Sequence, residues 1–96
     1  MAADAIVEFA FGDIHSRPGL DLKTRELVII SALAARDGLE TELAGHIRAA
    51  LCAGCTQEEI LEVMLQLAVY AGFPAAVNGT FVANQIFQET HEEEKK

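Results

Sequence analysis

Apolar side chains recur at intervals of three and four residues over most of the chain, which is the spacing typical of helices. The first such stretch contains the apolar run Leu27–Ala35. Asp21 precedes it as a predicted N-cap, and Gly38 follows it as a predicted C-terminal stop. The β-branched segment Val28–Ile30 also suits a buried strand, but the alanine-rich continuation and the flanking caps favour a helix.

Two further helices are predicted around the middle of the chain. One runs from about Glu40 to Ala53, where Gly54 closes it. The other opens on a capping box formed by Thr56 and Glu59. The residues that follow this box are apolar on nearly every side of a helix, so we expect it to be the buried central helix of the fold.

The two ends of the chain carry weaker helical signals. A last helix is predicted to follow Gly72, with Pro74 in its first turn, and to continue through Phe87. Near the start, Ala5–Ile14 is predicted to form a short helix and Arg17–Leu20 a turn.

These elements predict a single all-α domain over residues 1–96, whose end at about 91–96 we expect to be a charged, disordered tail. Apolar residues make up 51% of the 96, and the mean hydropathy is +0.22. A domain this short buries only about 60% of the surface that its unfolded chain exposes. The apolar surplus therefore predicts a homo-oligomer in which copies of the chain bury what one core cannot.

Charge and the lack of targeting signals narrow the partners. Seven Lys and Arg stand against fifteen Asp and Glu, a net charge of −8. The basic residues are scattered rather than clustered, so we expect no nucleic-acid partner. No apolar run is long enough to span a bilayer, and no basic region precedes an early apolar stretch, so we expect neither a membrane nor a signal peptide. With two cysteines and no export signal, the expected location is the reducing cytoplasm.

Glu42 and His46 form the first candidate for chemistry. They are four residues apart on a predicted helix and share one of its faces. A carboxylate beside an imidazole fixes the orientation of the ring and suits acid–base catalysis, although the same pair also suits an inert surface contact. Arg48 points to a different side of this helix. His15 and His91 have no partners at metal-ligand spacing, so no role is expected for them and no metal site is predicted.

The remaining candidates are two cysteines and one tyrosine. Cys52 and Cys55 form a C-x-x-C at a predicted helix C-terminus, whereas reactive dithiols lie at helix N-termini, where the dipole lowers the thiol pKa. This placement favours core or interface packing over redox chemistry. Tyr70 ends the predicted central helix, where it suits either a pocket wall or a core position with a backbone partner for its hydroxyl.

Five stretches in register resemble the carboxymuconolactone decarboxylase family. They are G-D-I-H-S-R-P-G-L from Gly12, T-R from Thr24, E-L-A-G-H-I-R-A-A from Glu42, E-E-I-L-E-V from Glu58 and Y-A-G-F-P-A-A from Tyr70. Together they cover about residues 11–88, which is most of the chain.

The resemblance implies an all-helical fold shared with the alkylhydroperoxidase D-type proteins, assembled as trimers or hexamers. It also implies a carboxy-lyase that converts a lactone carboxylic acid to an enol-lactone in the protocatechuate branch of aromatic catabolism. Such a reaction needs no cofactor, because the lactone carbonyl of the substrate accepts the electrons. On this basis His46 is the expected general acid and Glu42 orients it. The expected substrate-binding residues are Arg17, Arg25, Arg48 and Tyr70.

Two other functions stay open on the same scaffold. The alkylhydroperoxidase D-type branch carries its C-x-x-C seven and four residues before the matching histidine, where this chain has Leu39 and Glu42. A peroxidase or disulfide reductase would therefore have to use Cys52 and Cys55, at the other end of the helix. The second alternative is a non-catalytic oligomer that binds small acids.

Overall fold

Helices account for about four-fifths of residues 2–94, the part of the chain that the computed structural model describes. The helices are α1 (Ala2–Val7), a π-helical segment (Glu8–Ile14) that continues it, α2 (Leu22–Ala34), α3 (Glu40–Cys52), α4 (Gln57–Tyr70) and α5 (Phe73–Glu94). Residues 2–94 contain no strand, and Val28–Ile30 lies inside α2. The prediction of an all-α fold is therefore confirmed.

The predicted N-terminal caps are confirmed. The Asp21 carboxylate accepts a hydrogen bond of 2.8 Å from the backbone N–H of Thr24, which holds the first turn of α2. At the start of α4, the backbone N–H of Glu59 donates to the Thr56 hydroxyl at 3.0 Å, and the Glu59 carboxylate accepts from the backbone N–H of Thr56 at 2.8 Å. Both halves of the capping box are present. At the start of α2 and of α4, side chains close in sequence therefore accept hydrogen bonds from backbone N–H groups.

The helix ends agree with the sequence in one case and differ in another. Gly54, at a φ of 100°, closes α3 as predicted, and the next residue, Cys55, donates its backbone N–H to the carbonyl of Ala50 at 2.9 Å. In contrast, α2 ends at Ala34, so the prediction that Gly38 stops it is wrong. Its last turn tightens, as the backbone N–H of Arg36 bonds a carbonyl three residues back, and the helix is closed before the glycine is reached.

The hydrophobic core lies where α2, α3, α4 and α5 meet. Its largest fully buried side chains are Ile30, Ile47, Ile60 and Met64. Helices α4 and α5 approach closely at Gly79, where an added Cβ would lie 2.5 Å from Sδ of Met64. This close approach explains a glycine in the interior of a helix, which otherwise disfavours it.

The expectation that α4 is buried on all sides is wrong for the single chain. Ile60, Met64 and Leu67 face the core, but Leu65 and Val69 are exposed and Tyr70 is 81% exposed. Helices α2 and α5 pack against α4, and this packing buries Ile60, Met64 and Leu67 but leaves the opposite residues uncovered. Its open side continues onto α5 and forms the apolar α4–α5 face, made of Leu65, Val69, Tyr70, Phe73, Val77 and Phe81.

The N-terminal helix and the end of α5 lie outside the core. Neither α1 nor the π-helical segment buries any residue, and they expose the apolar side chains Ile6, Val7, Phe9 and Phe11. At the other end, α5 extends to Glu94, so residues 91–94 of the expected tail are helical, while residues 95–96 lie outside the described part. Within residues 2–94, no helix combines the length and the apolar character that crossing a membrane requires.

Candidate functional site

A buried carboxylate marks the site. Glu26 is only 3% exposed, and it is the one charged residue among the buried residues that the structure describes. It lies on the core-facing side of α2, in line with Ile30 and Ala34 at intervals of four residues. Burying an ionised group without partners is strongly unfavourable, so the groups that contact Glu26 identify the site.

Two imidazoles contact this carboxylate, one on each oxygen. Nε2 of His15 lies 3.1 Å from Oε1, and Nδ1 of His46 lies 3.4 Å from Oε2. The two histidines come from different elements, since His15 follows the π-helical segment and His46 lies on α3. The cluster of Glu26, His15 and His46 therefore joins three parts of the chain.

An ionised Glu26 would select one tautomer in each ring. An ionised carboxylate only accepts hydrogen bonds, so the nitrogen that faces it carries the hydrogen. In neutral His46 this leaves Nε2 as the free lone pair, and in protonated His46 it makes Nε2–H the acid that faces away from the carboxylate. The His46 side chain is 31% exposed, so a ligand can reach the imidazole.

Arg25 supplies a positive charge beside the cluster. It directly precedes Glu26 on α2, and its Nη2 donates to the backbone carbonyl of Arg17 at 2.9 Å. Its Nε–H is fully buried and has no hydrogen-bond partner among the residues that the structure describes. A buried donor left without an acceptor costs about 1–3 kcal/mol, and a bound anion would remove that cost. Arg25 is therefore the predicted arginine that fits a carboxylate best.

The other predicted arginines are placed differently. Arg17 lies in the exposed turn before α2, next to Arg25 through its carbonyl. Arg48 lies on the far side of α3 and forms an ion pair with Glu89 of α5, with Nη2 and Oε2 3.1 Å apart and both side chains 53% exposed. The structure thus brings Arg17 and Arg25 close to the cluster and holds Arg48 in a pair elsewhere.

Glu42 does not contact His46 in the structure. Its side chain is exposed, and within residues 2–94 no hydrogen bond or ion pair joins it to the imidazole. Glu26 occupies the position expected for Glu42, because it approaches Nδ1 from the core side of α3. Pairing across two helices replaces the predicted pairing along one.

Tyr70 lies on another surface of the chain. It borders an open groove of about 1080 Å³ between α2 and α4, whose walls include Leu27, Val28 and Phe73. Neither Glu26 nor His46 lines this groove. Within one chain Tyr70 is therefore not part of the cluster.

The two cysteines differ in burial, and the surroundings of Cys55 oppose thiol activation. Cys52 is exposed and Cys55 is buried, and neither forms a disulfide. The Cys55 thiol donates to the backbone carbonyl of Lys23 at 3.6 Å. Burial raises the pKa of this thiol, and the carboxylate of Glu59 acts in the same direction. A reactive thiol needs the opposite shift.

No group of three or more His, Cys, Asp or Glu within residues 2–94 is arranged to hold a metal ion. His91 lies exposed near the end of α5.

The fold and the cluster define a small all-helical domain with a buried carboxylate–imidazole site. The chain belongs to the carboxymuconolactone decarboxylase family, whose model matches residues 2–85. This result confirms the resemblance found in the sequence.

Curated relatives support the same assignment. The chain is 42% identical to 4-carboxymuconolactone decarboxylase of Acinetobacter baylyi over 88% of its own length and 62% of the relative's. It is 34% identical to nitrosuccinic acid decarboxylase of Metarhizium robertsii, over 90% of the chain and 59% of the relative. An uncharacterised 15.0 kDa protein of Paracoccus denitrificans is 37% identical over 92% of the chain and 66% of its own length. The chain thus spans about three-fifths to two-thirds of the length of these relatives.

Two members of the cluster, Glu26 and His15, were not predicted from the sequence. Glu26 could have been found, because it is a charged residue on the apolar stripe that continues to Ile30 and Ala34. A carboxylate at a core position needs a partner, so a charged residue on an apolar helix face predicts a buried and paired group. His15 lies in a turn and offered no such pattern.

Proposed function

We propose that the protein is a carboxy-lyase that needs no cofactor and acts on a lactone carboxylic acid such as 4-carboxymuconolactone. The observation that carries this proposal is the buried Glu26 carboxylate facing Nδ1 of His46, next to an arginine whose buried Nε–H lacks an acceptor. Membership of the family and two relatives named as decarboxylases support it.

The proposed reaction uses the substrate itself as the electron sink. The bond between the ring carbon and the carboxylate breaks and CO₂ leaves. The electron pair moves through the conjugated double bond onto the lactone carbonyl oxygen, and a proton is then added to carbon. Nitrosuccinic acid carries a nitro group that can accept the electron pair in the same way. The substrates in the names of the two relatives therefore both contain an electron-accepting group. The protein has to bind the anion, stabilise the developing charge and deliver one proton.

The residues near the cluster fit these three tasks. His46 donates the proton from Nε2, and Glu26 holds its ring through Nδ1. Arg25 binds a carboxylate of the substrate through its unpartnered Nε–H, and Arg17 is the second cation within reach of the same turn. We assign no role in the reaction to Glu42 or Arg48, because Glu42 has no hydrogen bond or ion pair with His46 within residues 2–94 and Arg48 pairs with Glu89.

We further propose that the protein acts as a homo-oligomer, a trimer or a hexamer, in the cytoplasm. The apolar α4–α5 face supports this proposal, because it leaves six large apolar side chains exposed in one chain. Monomeric proteins rarely expose continuous apolar patches of more than a few hundred Å². Covering this face is the role we propose for a second copy.

The test is direct turnover of 4-carboxymuconolactone, followed by the loss of ultraviolet absorbance and the release of CO₂. We expect the wild-type protein to turn the substrate over and His46→Ala to lose activity while keeping its helical circular dichroism. His91→Ala, which removes an exposed histidine far along α5, should behave like the wild type. A folded His46→Ala variant with full activity would contradict the mechanism.

The same measurements separate the alternatives. A protein that turns over none of these acids but gains melting temperature when they bind would be a small-acid-binding oligomer. A peroxidase would instead reduce peroxide with a thiol donor and lose that activity when Cys52 and Cys55 are replaced by serine. No observation favours the peroxidase, since burial raises the pKa of Cys55.

A further inference from the structure

We propose that His15 is a positioning residue of the site, which holds the Glu26 carboxylate in the orientation that presents Oε2 to His46. The effect on the reaction rests on the proposed decarboxylase function, whereas the effect on His46 itself does not. No role for His15 follows from the sequence patterns, and it is the turn before α2 that brings this residue to Glu26.

The first argument is the burial of Glu26. A carboxylate that is 3% exposed receives little help from water, so both of its oxygens need donors from the protein. Within residues 2–94, the partners found for it are the two imidazoles, and each contacts a different oxygen. His15 therefore pairs with Oε1 at 3.1 Å and leaves Oε2 to His46.

The second argument is that His15 is itself held in place. Its backbone N–H donates to the carbonyl of Ala10 at 2.8 Å, and its ring packs against Phe11 with the ring centroids 5.3 Å apart. Two residues further on, the carbonyl of Arg17 accepts the hydrogen bond from Arg25. The neighbouring residues Arg25 and Glu26 thus hold both ends of this turn, which restricts the position of the imidazole.

The third argument is the consequence of removing the imidazole. Oε1 would then be a buried acceptor without a donor, which is costly. The carboxylate can relieve this cost by turning away from His46 toward solvent, or by binding a proton. Either change weakens the contact that selects the Nδ1–H form of His46. The proton-donating nitrogen of His46 therefore depends on a residue that does not touch it.

Two substitutions distinguish the effect of the His15 N–H from the effect of its ring packing against Phe11. His15→Phe keeps an aromatic ring against Phe11 but has no N–H, whereas His15→Gln offers an amide N–H of similar reach. We expect His15→Phe to lower kcat by up to about 100-fold with little change in KM, because the proton donor is misplaced while Arg25 still binds the anion. We expect His15→Gln to recover most of this loss. His91→Phe is the matched control and should keep wild-type values.

The tautomer of His46 is the readout that does not require activity. In nitrogen-15 NMR spectra of the wild type at a pH where the ring is neutral, we expect His46 to carry its hydrogen on Nδ1. In His15→Phe the signal should move toward the Nε2–H form, and in His15→Gln it should stay near the wild type. This result would support the proposal even if no lactone acid were turned over. An unchanged His46 tautomer in a folded His15→Phe variant would overturn it, as would an unchanged kcat in an active protein.

Discussion

Oε2 of Glu26 on α2 lies 3.4 Å from Nδ1 of His46 on α3, twenty residues further along the chain. The contact joins two helices that pack against each other through the core. It gives the imidazole a fixed orientation from the buried side, while Nε2 remains directed away from the carboxylate. An acid–base unit made in this way depends on helix packing rather than on the spacing along one helix.

This relationship predicts different outcomes for two glutamates. Glu26→Gln should lower decarboxylase activity by at least about 100-fold, because the amide can no longer act as the anionic partner of the imidazole. Glu42→Gln removes the same charge from an exposed position and should keep activity within about twofold. Steady-state kinetics on both folded variants decide the matter. Equal losses in the two variants would restore Glu42 as the orienting residue.

The arginines differ in a similar way. Arg25→Gln should raise KM strongly, because it removes the buried Nε–H, which we propose binds the carboxylate of the substrate. Arg48→Gln breaks an exposed ion pair with Glu89, which contributes no more than about 1 kcal/mol, and should leave KM unchanged. The measurement is the dependence of turnover on substrate concentration. If KM rose for Arg48→Gln and not for Arg25→Gln, the anion would bind at Arg48, and the assignment to Arg25 would be wrong.

Two helical glycines should respond in opposite directions to alanine. An added Cβ at Gly45 meets nothing within 4 Å, so Gly45→Ala should stabilise the fold by about 0.5–1 kcal/mol. The same change at Gly79 brings a methyl group against Met64, and overpacking of this kind costs about 1–3 kcal/mol. Urea unfolding of the two variants tests the pair. A stabilising Gly79→Ala would show that Met64 has room to move.

The apolar α4–α5 face predicts a change of assembly when charge is introduced. Phe81 is 67% exposed in the single chain, so Phe81→Asp should leave the fold intact and lower the mass measured by light scattering. Asn78→Asp is the control. It adds the same charge on α5, but on the side that borders the turn between α2 and α3 and not on the apolar α4–α5 face. A Phe81→Asp protein with the wild-type mass would show that copies meet through another surface.

Two helix-capping carboxylates predict a loss of stability in acid. The backbone N–H of Thr56 lowers the pKa of Glu59, and the hydrogen bond from Thr24 lowers the pKa of Asp21. A carboxyl group with a lowered pKa in the folded state stabilises the fold near neutral pH, and this contribution is lost as the pH falls through that pKa.

Glu59→Gln tests this dependence, because glutamine keeps the capping box but does not titrate. Its melting temperature should fall less than that of the wild type between about pH 5 and about pH 3. Glu58→Gln changes the same charge one residue earlier, outside the capping box, and should follow the wild type. Identical slopes for Glu59→Gln and the wild type would exclude the capping carboxylate as the cause.

The N-terminal caps of α2 and α4 and the C-terminal end of α3 were predictable because they are local. Asp21 and Thr56 accept hydrogen bonds from residues three positions away, so residue type and spacing are sufficient to identify them. The early end of α2 was missed because its last turn tightens before Gly38, and a glycine marks only where a left-handed residue is tolerated.

The site was predictable only in part. His46 and Arg25 were named from the sequence. In the structure His46 contacts the buried carboxylate of Glu26, and Arg25 precedes Glu26 on α2. The partner of His46 was assigned to Glu42, because spacing along one helix is visible in the sequence and contact between two helices is not. Likewise, the three candidate arginines look alike until burial separates Arg25 from the ion-paired Arg48.

The amino-acid sequence by itself determined the helices, most of their caps and the family, because these depend on residue types at short and regular spacings. The tertiary structure alone decided which carboxylate meets His46, that His15 joins it, and which side of α4 stays open. These features depend on contacts between residues far apart in the chain. Their energies come from burial, which exists only after the helices have packed.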